Sequence, residues 1–169
     1  MSDPSMIKQR LESLQATLRA KPELGKAPKT ATIRVRAGTT CDVEVDGHKL
    51  VSDLPAALGG PNLGPVPGAL LRASVGSCLA IGYVMWAAVL EIPLDEVEVT
   101  VEGEIDGRAA LGLTNEVPTG YSAFNYTTKF RSAAPPQRLQ ELVDLVDRYS
   151  AVVDTVRRAV PVTGQLRLV

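Results

Sequence analysis

Two thiols, Cys41 and Cys78, are the starting point for any chemistry this chain could perform. Cys78 stands in the run Leu70-Leu71-Arg72-Ala73-Ser74-Val75-Gly76-Ser77-Cys78-Leu79-Ala80, whose small members Ala73, Gly76, Ser77 and Ala80 let a second element approach closely. Two roles are open to a thiol in that setting: inert packing, which free cysteine often has, or nucleophilic attack as the thiolate. Attack is favoured by a cation beside the sulfur. Arg36, just before Ala37-Gly38, is the candidate for that cation, with Arg34 and Arg72 behind it, although an arginine on a strand more often faces solvent. Cys41 shares the apolar phase of Val43 and Val45, which favours a packed thiol, and only geometry decides whether it reaches Cys78.

The remaining chemistry-bearing residues point to no metal and no cofactor. His48 follows a tight turn without an acidic or thiol neighbour at dyad spacing. Without a second histidine or a Cys-x-x-Cys pair, a zinc site is not expected. The glycines between Gly59 and Gly64 lack the Lys-Ser/Thr ending of a phosphate loop and the spacing of a dinucleotide fingerprint. Tyr83, Met85 and Trp86 are expected in the core or a dimer contact, and the same side chains suit the wall of an apolar pocket.

The elements that must hold these residues follow from periodicity. Asp3 before Pro4 announces a helix with Ile7, Leu11, Leu14 and Leu18 on one face, ending near Lys21 and Pro22. Glu23 to Lys29 reads as a linker. Ala31, Ile33 and Val35, then Cys41, Val43 and Val45, alternate with polar residues and predict an antiparallel hairpin. The Asp46-Gly47 turn hands the chain to a third strand through His48, Leu50 and Ser52. Residues 55–67, rich in Gly and Pro, form a long shaped loop before an apolar helix over 69–90.

Beyond that helix, Val97, Val99 and Val101 alternate with polar residues in a strand, and another strand is expected over 121–130. Pro135-Pro136 opens a helix with Leu139, Leu142, Val143 and Val146 inward, reaching about Tyr149. A short helical piece over 154–158 precedes a last predicted strand, Val162–Val169. Strands in runs with helices segregated from them indicate an α+β fold. The expected organisation is one domain overall: a helix and linker over 1–29, then the main body over 30–169.

Several motifs carry a family resemblance. Pro67-Gly68-Ala69 followed by the Leu70–Ala80 run resembles the cysteine helix of the osmotically inducible protein C (OsmC) and organic hydroperoxide resistance (Ohr) family. Asp53-Leu54-Pro55, Leu58-Gly59-Gly60 and Gly64-Pro65 resemble that family's preceding loop, and Ile92-Pro93-Leu94, Val97-Glu98-Val99 and Gly103-Glu104-Ile105-Asp106 its following turn and strand. Thr155-Val156 and Pro161-Val162 fit its final segment, so the likeness runs from about residue 30 to 169.

The resemblance implies an intertwined homodimer, with antiparallel sheets around two central helices, and thiol-dependent reduction of organic hydroperoxides. Cys78 would then attack the peroxide, Arg36 would assist it, and an external thiol would regenerate it. An external thiol is needed because the family's second cysteine, in a Cys-Pro-Val run, is matched here by Ser150-Ala151-Val152. The carboxylate that peroxidase members place early in the cysteine helix is also missing, with Gly68 and Ala69 at the available positions. These departures keep open an alternative: a non-catalytic homodimer of the same fold that binds a small apolar ligand.

Composition argues against large anionic partners. Eighteen basic residues against nineteen acidic ones leave a net charge of -1, too little to draw in nucleic acid or an anionic membrane. No secretory layout is visible in MSDPSMIKQRLESLQ, so a cytoplasmic, reducing address is expected. The uninterrupted apolar part of the long helix, Leu79 to Leu90, is shorter than the ~20 residues that span a bilayer, which favours a buried core helix.

Overall fold

The computed structural model describes residues 3–168. Helix α1, Pro4–Ala20, begins where Asp3 accepts a hydrogen bond from the Ser5 amide and Pro4 takes the first helical position. It lies along the long helix α2, Pro67–Leu90, and Lys8 pairs with Glu91 at the end of that helix. A single turn, Pro22–Gly25, and extended residues 26–30 then lead into the sheet.

Strands β1 (Ala31–Ala37), β2 (Thr40–Val45) and β3 (His48–Ser52) form an antiparallel sheet in that order. Asp46 and Gly47 both have positive φ, 47° and 79°, the geometry that lets a two-residue turn follow the twist of its strands. Ile33 lies opposite Val43, and Val43 opposite Leu50; Val35, Cys41 and Ser52 form the next row. These rows share one apolar face. Arg34, Arg36, Asp42, Glu44 and Lys49 take the other. Every residue of β1 is exposed, and among the described residues no helix packs broadly on this sheet.

Asp53 fastens the Gly- and Pro-rich loop to the sheet. Its carboxylate accepts from the Thr39 and Thr40 hydroxyls and from the Leu54 and Leu63 amides, and the residue is 2% exposed. A side chain at Gly64 would meet the Val51 carbonyl oxygen at 2.3 Å, so only glycine lets the loop lie this close to β3.

Strand β4 (Glu96–Glu104) pairs along its whole length with β5 (Ala123–Arg131), and this second sheet packs on α2. By length and composition α2 could cross a bilayer, but here Val75, Leu79, Tyr83 and Ala87 enter a core with Ile92, Leu142, Val146 and Val153. The Tyr83 ring meets Phe130 edge-on at 5.0 Å. A one-turn helix α3, Gly107–Ala110, is capped by Asp106. Helix α4, Pro136–Tyr149, supplies Leu142 and Val146, and α5, Ala151–Arg157, supplies Val153.

The fold is α+β with antiparallel sheets, as the periodicity indicates. Several boundaries differ, the long helix starting at Pro67 rather than 69. The fifth strand starts at Ala123 rather than 121, and α5 starts at Ala151 because Ser150 caps it. The predicted last strand is not formed over 162–168: these residues are exposed and, among the described residues, have no strand beside them to hydrogen-bond with, and Val169 lies outside the described residues.

Candidate active site

Cys78 lies midway along α2, on the side that meets the junction of α4 and α5. That junction is the single residue Ser150, which ends one helix and caps the next. Its hydroxyl oxygen is 3.4 Å from the Val153 amide, from which it accepts, and 3.2 Å from Cys78 Sγ. Ser150 is itself buried, 5% exposed, so its orientation is set by the helix corner and not by solvent.

The sulfur opens onto a groove of about 260 Å³ walled by Ile81, Gly82, Met85, Trp86, Val146, Tyr149 and Ala151. None of these lining residues carries a charge. The Trp86 and Tyr149 rings lie 5.7 Å apart, tilted by 33°, and the Arg148 guanidinium sits 5.5 Å from the centre of the Tyr149 ring. Gly82 lies one helical turn beyond Cys78, and Val146 one turn before Ser150. A Cβ at Gly82 would stand 2.9 Å from Val146 Cγ1, so α2 and α4 touch closely next to the sulfur. An alkyl group bound here would rest on apolar surface with its reacting end at a thiol.

The sequence candidates fall in different places. Cys78 is at the groove. Arg36 is on the polar face of the three-stranded sheet, 2.9 Å from Asp42, and does not line the groove. Arg34 faces Glu44 at 4.0 Å, and Arg72 bonds the Tyr121 hydroxyl and stacks over that ring. Cys41 is a free thiol on the sheet's apolar face and shares no wall with Cys78. His48 is exposed at the start of β3. Tyr83 belongs to the core, whereas Met85 and Trp86 line the groove.

Periodicity did not single out Ile81, Tyr149 or the contact of Ser150 with the sulfur. The signal for Ser150 was its place at the position of the family's second cysteine. Tyr149 had no signal beyond ending a helix. Among the described residues, no three His, Cys, Asp or Glu side chains gather as metal ligands.

Comparison with known proteins agrees with this architecture. The family model described as OsmC-like protein matches residues 60–164. No curated protein matches the sequence. An OsmC-like protein from Mycoplasma pneumoniae is similar in structure, with a TM-score of 0.68 and 15% identity over 78% of this chain and 89% of that one. An organic hydroperoxide resistance protein OsmC from Legionella pneumophila gives 0.55 at 23% identity, covering 78% of this chain and 92% of its own. The organic hydroperoxide resistance protein OhrB of Bacillus subtilis gives 0.51 at 20% identity, covering 78% and 91%.

Proposed function

Since the chain belongs to the OsmC-like protein family, we propose that it reduces organic hydroperoxides with Cys78 as its one reacting thiol and an external thiol as reductant. The observation that carries this reading is the Cys78 sulfur at the wall of an uncharged, largely apolar groove, the setting an alkyl hydroperoxide needs. The names of the Legionella and Bacillus relatives support it. In the first step the thiolate sulfur bonds to the terminal peroxide oxygen, the O–O bond breaks, and the alkoxide leaves and takes up a proton. The sulfur, now sulfenic acid, has lost two electrons to the peroxide. One external thiol then displaces water from it to form a mixed disulfide, and a second releases Cys78 as thiolate. A reducing compartment supplies that thiol.

The reading includes a second copy of the chain. The three-stranded sheet, on which among the described residues no helix packs broadly, supports it, as do Ile33 and Val35, 55% and 66% exposed, and Ile81, 61% exposed on α2 beside the groove. Arg36 does not line the groove of its own chain and is engaged by Asp42, so a role for it beside Cys78 in this reading requires the second copy. Sedimentation should give twice the chain mass; a monomer at micromolar concentration overturns this part.

Purified protein should consume cumene hydroperoxide when supplied with a dithiol, and Cys78→Ser should not. Equal rates for the two end the proposal. One observation favours the second reading, a non-catalytic dimer that binds a small apolar ligand: no lining residue of the groove is a cation, and Arg36 is engaged by Asp42. Rapid formation of sulfenic acid at Cys78, seen by mass spectrometry under mild peroxide, decides against that alternative.

A further inference from the structure

We infer that Ser150 is a positioning residue for Cys78, donating its hydroxyl proton to the sulfur while the same oxygen accepts from the α5 amide. This rests on the reading of Cys78 as the reacting thiol. The direction of the hydrogen bond follows from counting. A serine hydroxyl has one proton and two lone pairs, and the Val153 N–H, which can only donate, occupies the oxygen at 3.4 Å. The oxygen keeps its proton and one lone pair for its other neighbour, Cys78 Sγ at 3.2 Å, and the reacting thiolate, with no proton of its own, can only accept.

The corner geometry makes this bond hard to lose. Ser150 is the only residue between α4 and α5, and its carbonyl also accepts from the Asp154 amide at 2.9 Å, so backbone and side chain are both held. A sulfur bearing negative charge accepts such a proton more strongly than a neutral one. The same placement determines what happens after attack. The group that faces the sulfur at 3.2 Å is a hydroxyl, which cannot form a disulfide, so the sulfenic acid waits for a thiol from outside.

Three substitutions separate the donated proton from the helix cap. Ser150→Thr keeps both. Ser150→Asp keeps a cap acceptor but donates no proton when ionised, and Ser150→Gly keeps neither while costing little as a cap. The readouts are the second-order rates at which Cys78, followed by peptide mass spectrometry, is alkylated by iodoacetamide and oxidised by cumene hydroperoxide, with thermal unfolding as a check on the fold. A hydrogen bond to a charged group corresponds to a loss of about ten- to a hundredfold in both rates for the Asp and Gly forms. Thr should restore most of the rate. An Asp form as fast as the parent, or a Thr form as slow as Gly, overturns the inference. A parent that alkylates readily but ignores the hydroperoxide removes the peroxidase reading, and the ranking of the variants in the alkylation arm still decides the role of Ser150.

Discussion

Replacing Ser150 with cysteine would set a second sulfur where a hydroxyl oxygen now stands 3.2 Å from Cys78 Sγ. A disulfide bond is about 2.05 Å long, so the two sulfurs must close by about 1.2 Å, a shift that small rotations of two side chains can supply. The bridge would close a loop between positions 72 apart in sequence. Loop-closure entropy for that length corresponds to about 4 kcal/mol of stabilisation relative to the variant's own reduced form. Losing the hydroxyl cap of α5 costs about 1 kcal/mol, which leaves the oxidised variant about 3 kcal/mol more stable than the parent.

For a domain of this size that gain raises the melting temperature by about 6 to 12 °C. Urea unfolding of Ser150→Cys with and without dithiothreitol measures it, in a Cys41→Ser background so that only one pair of thiols can bond. Intact mass reports the two hydrogens lost on oxidation. A variant that keeps both hydrogens under mild oxidant, or whose unfolding midpoint is the same oxidised and reduced, refutes the placement of Ser150 beside the sulfur.

Other expectations concern the frame around the site. Burial tends to raise the Asp53 carboxyl, but the Leu63 and Leu54 amides and the Thr39 and Thr40 hydroxyls outweigh it and hold the group below its ordinary 3.8. Its contribution is therefore complete above the unfolded value and fades as pH falls through the folded one, so Asp53→Asn should flatten the loss of urea resistance between neutral pH and about pH 3. Leu142→Ala empties a fully buried position and should cost about 2–5 kcal/mol in denaturant unfolding. Burial and the proton that Tyr126 donates to Asp147 push its hydroxyl up to about 12, so ultraviolet titration should show Tyr126 ionising late, alongside the buried Tyr83, and Asp147→Asn should bring Tyr126 down.

How much of this was legible in the sequence depends on how local each feature is. Alternation alone puts Ile33, Val35, Val43 and Leu50 on one face and Arg34 and Arg36 on the other, because period two belongs to the strand itself. Asp46-Gly47 and the Asp3-Pro4 start are equally local. Alternation also predicted a strand over 162–169, but a strand exists only through a hydrogen-bonded neighbour, and the described residues offer none. The contact of Cys78 with Ser150 crosses 72 positions, which no window of residues can register. The motif resemblance located it indirectly, by marking Ser150 as the place where a thiol had been exchanged. The groove walls were half legible: Met85 and Trp86 stood out as large side chains on the cysteine helix, while Tyr149 comes from a separate helix brought there by packing.

The near contact of Gly82 with Val146 has its own consequence. The helices run antiparallel there, so the pair lies one turn from Cys78 and Ser150 and acts as the gauge block that sets their gap. A methyl group at position 82 would press on Val146 Cγ1 and strain the crossing that holds the hydroxyl at the sulfur, although residue 82 carries no side chain of its own. Tuning of this thiol is therefore open to substitutions that never touch it, through the width of one helix crossing.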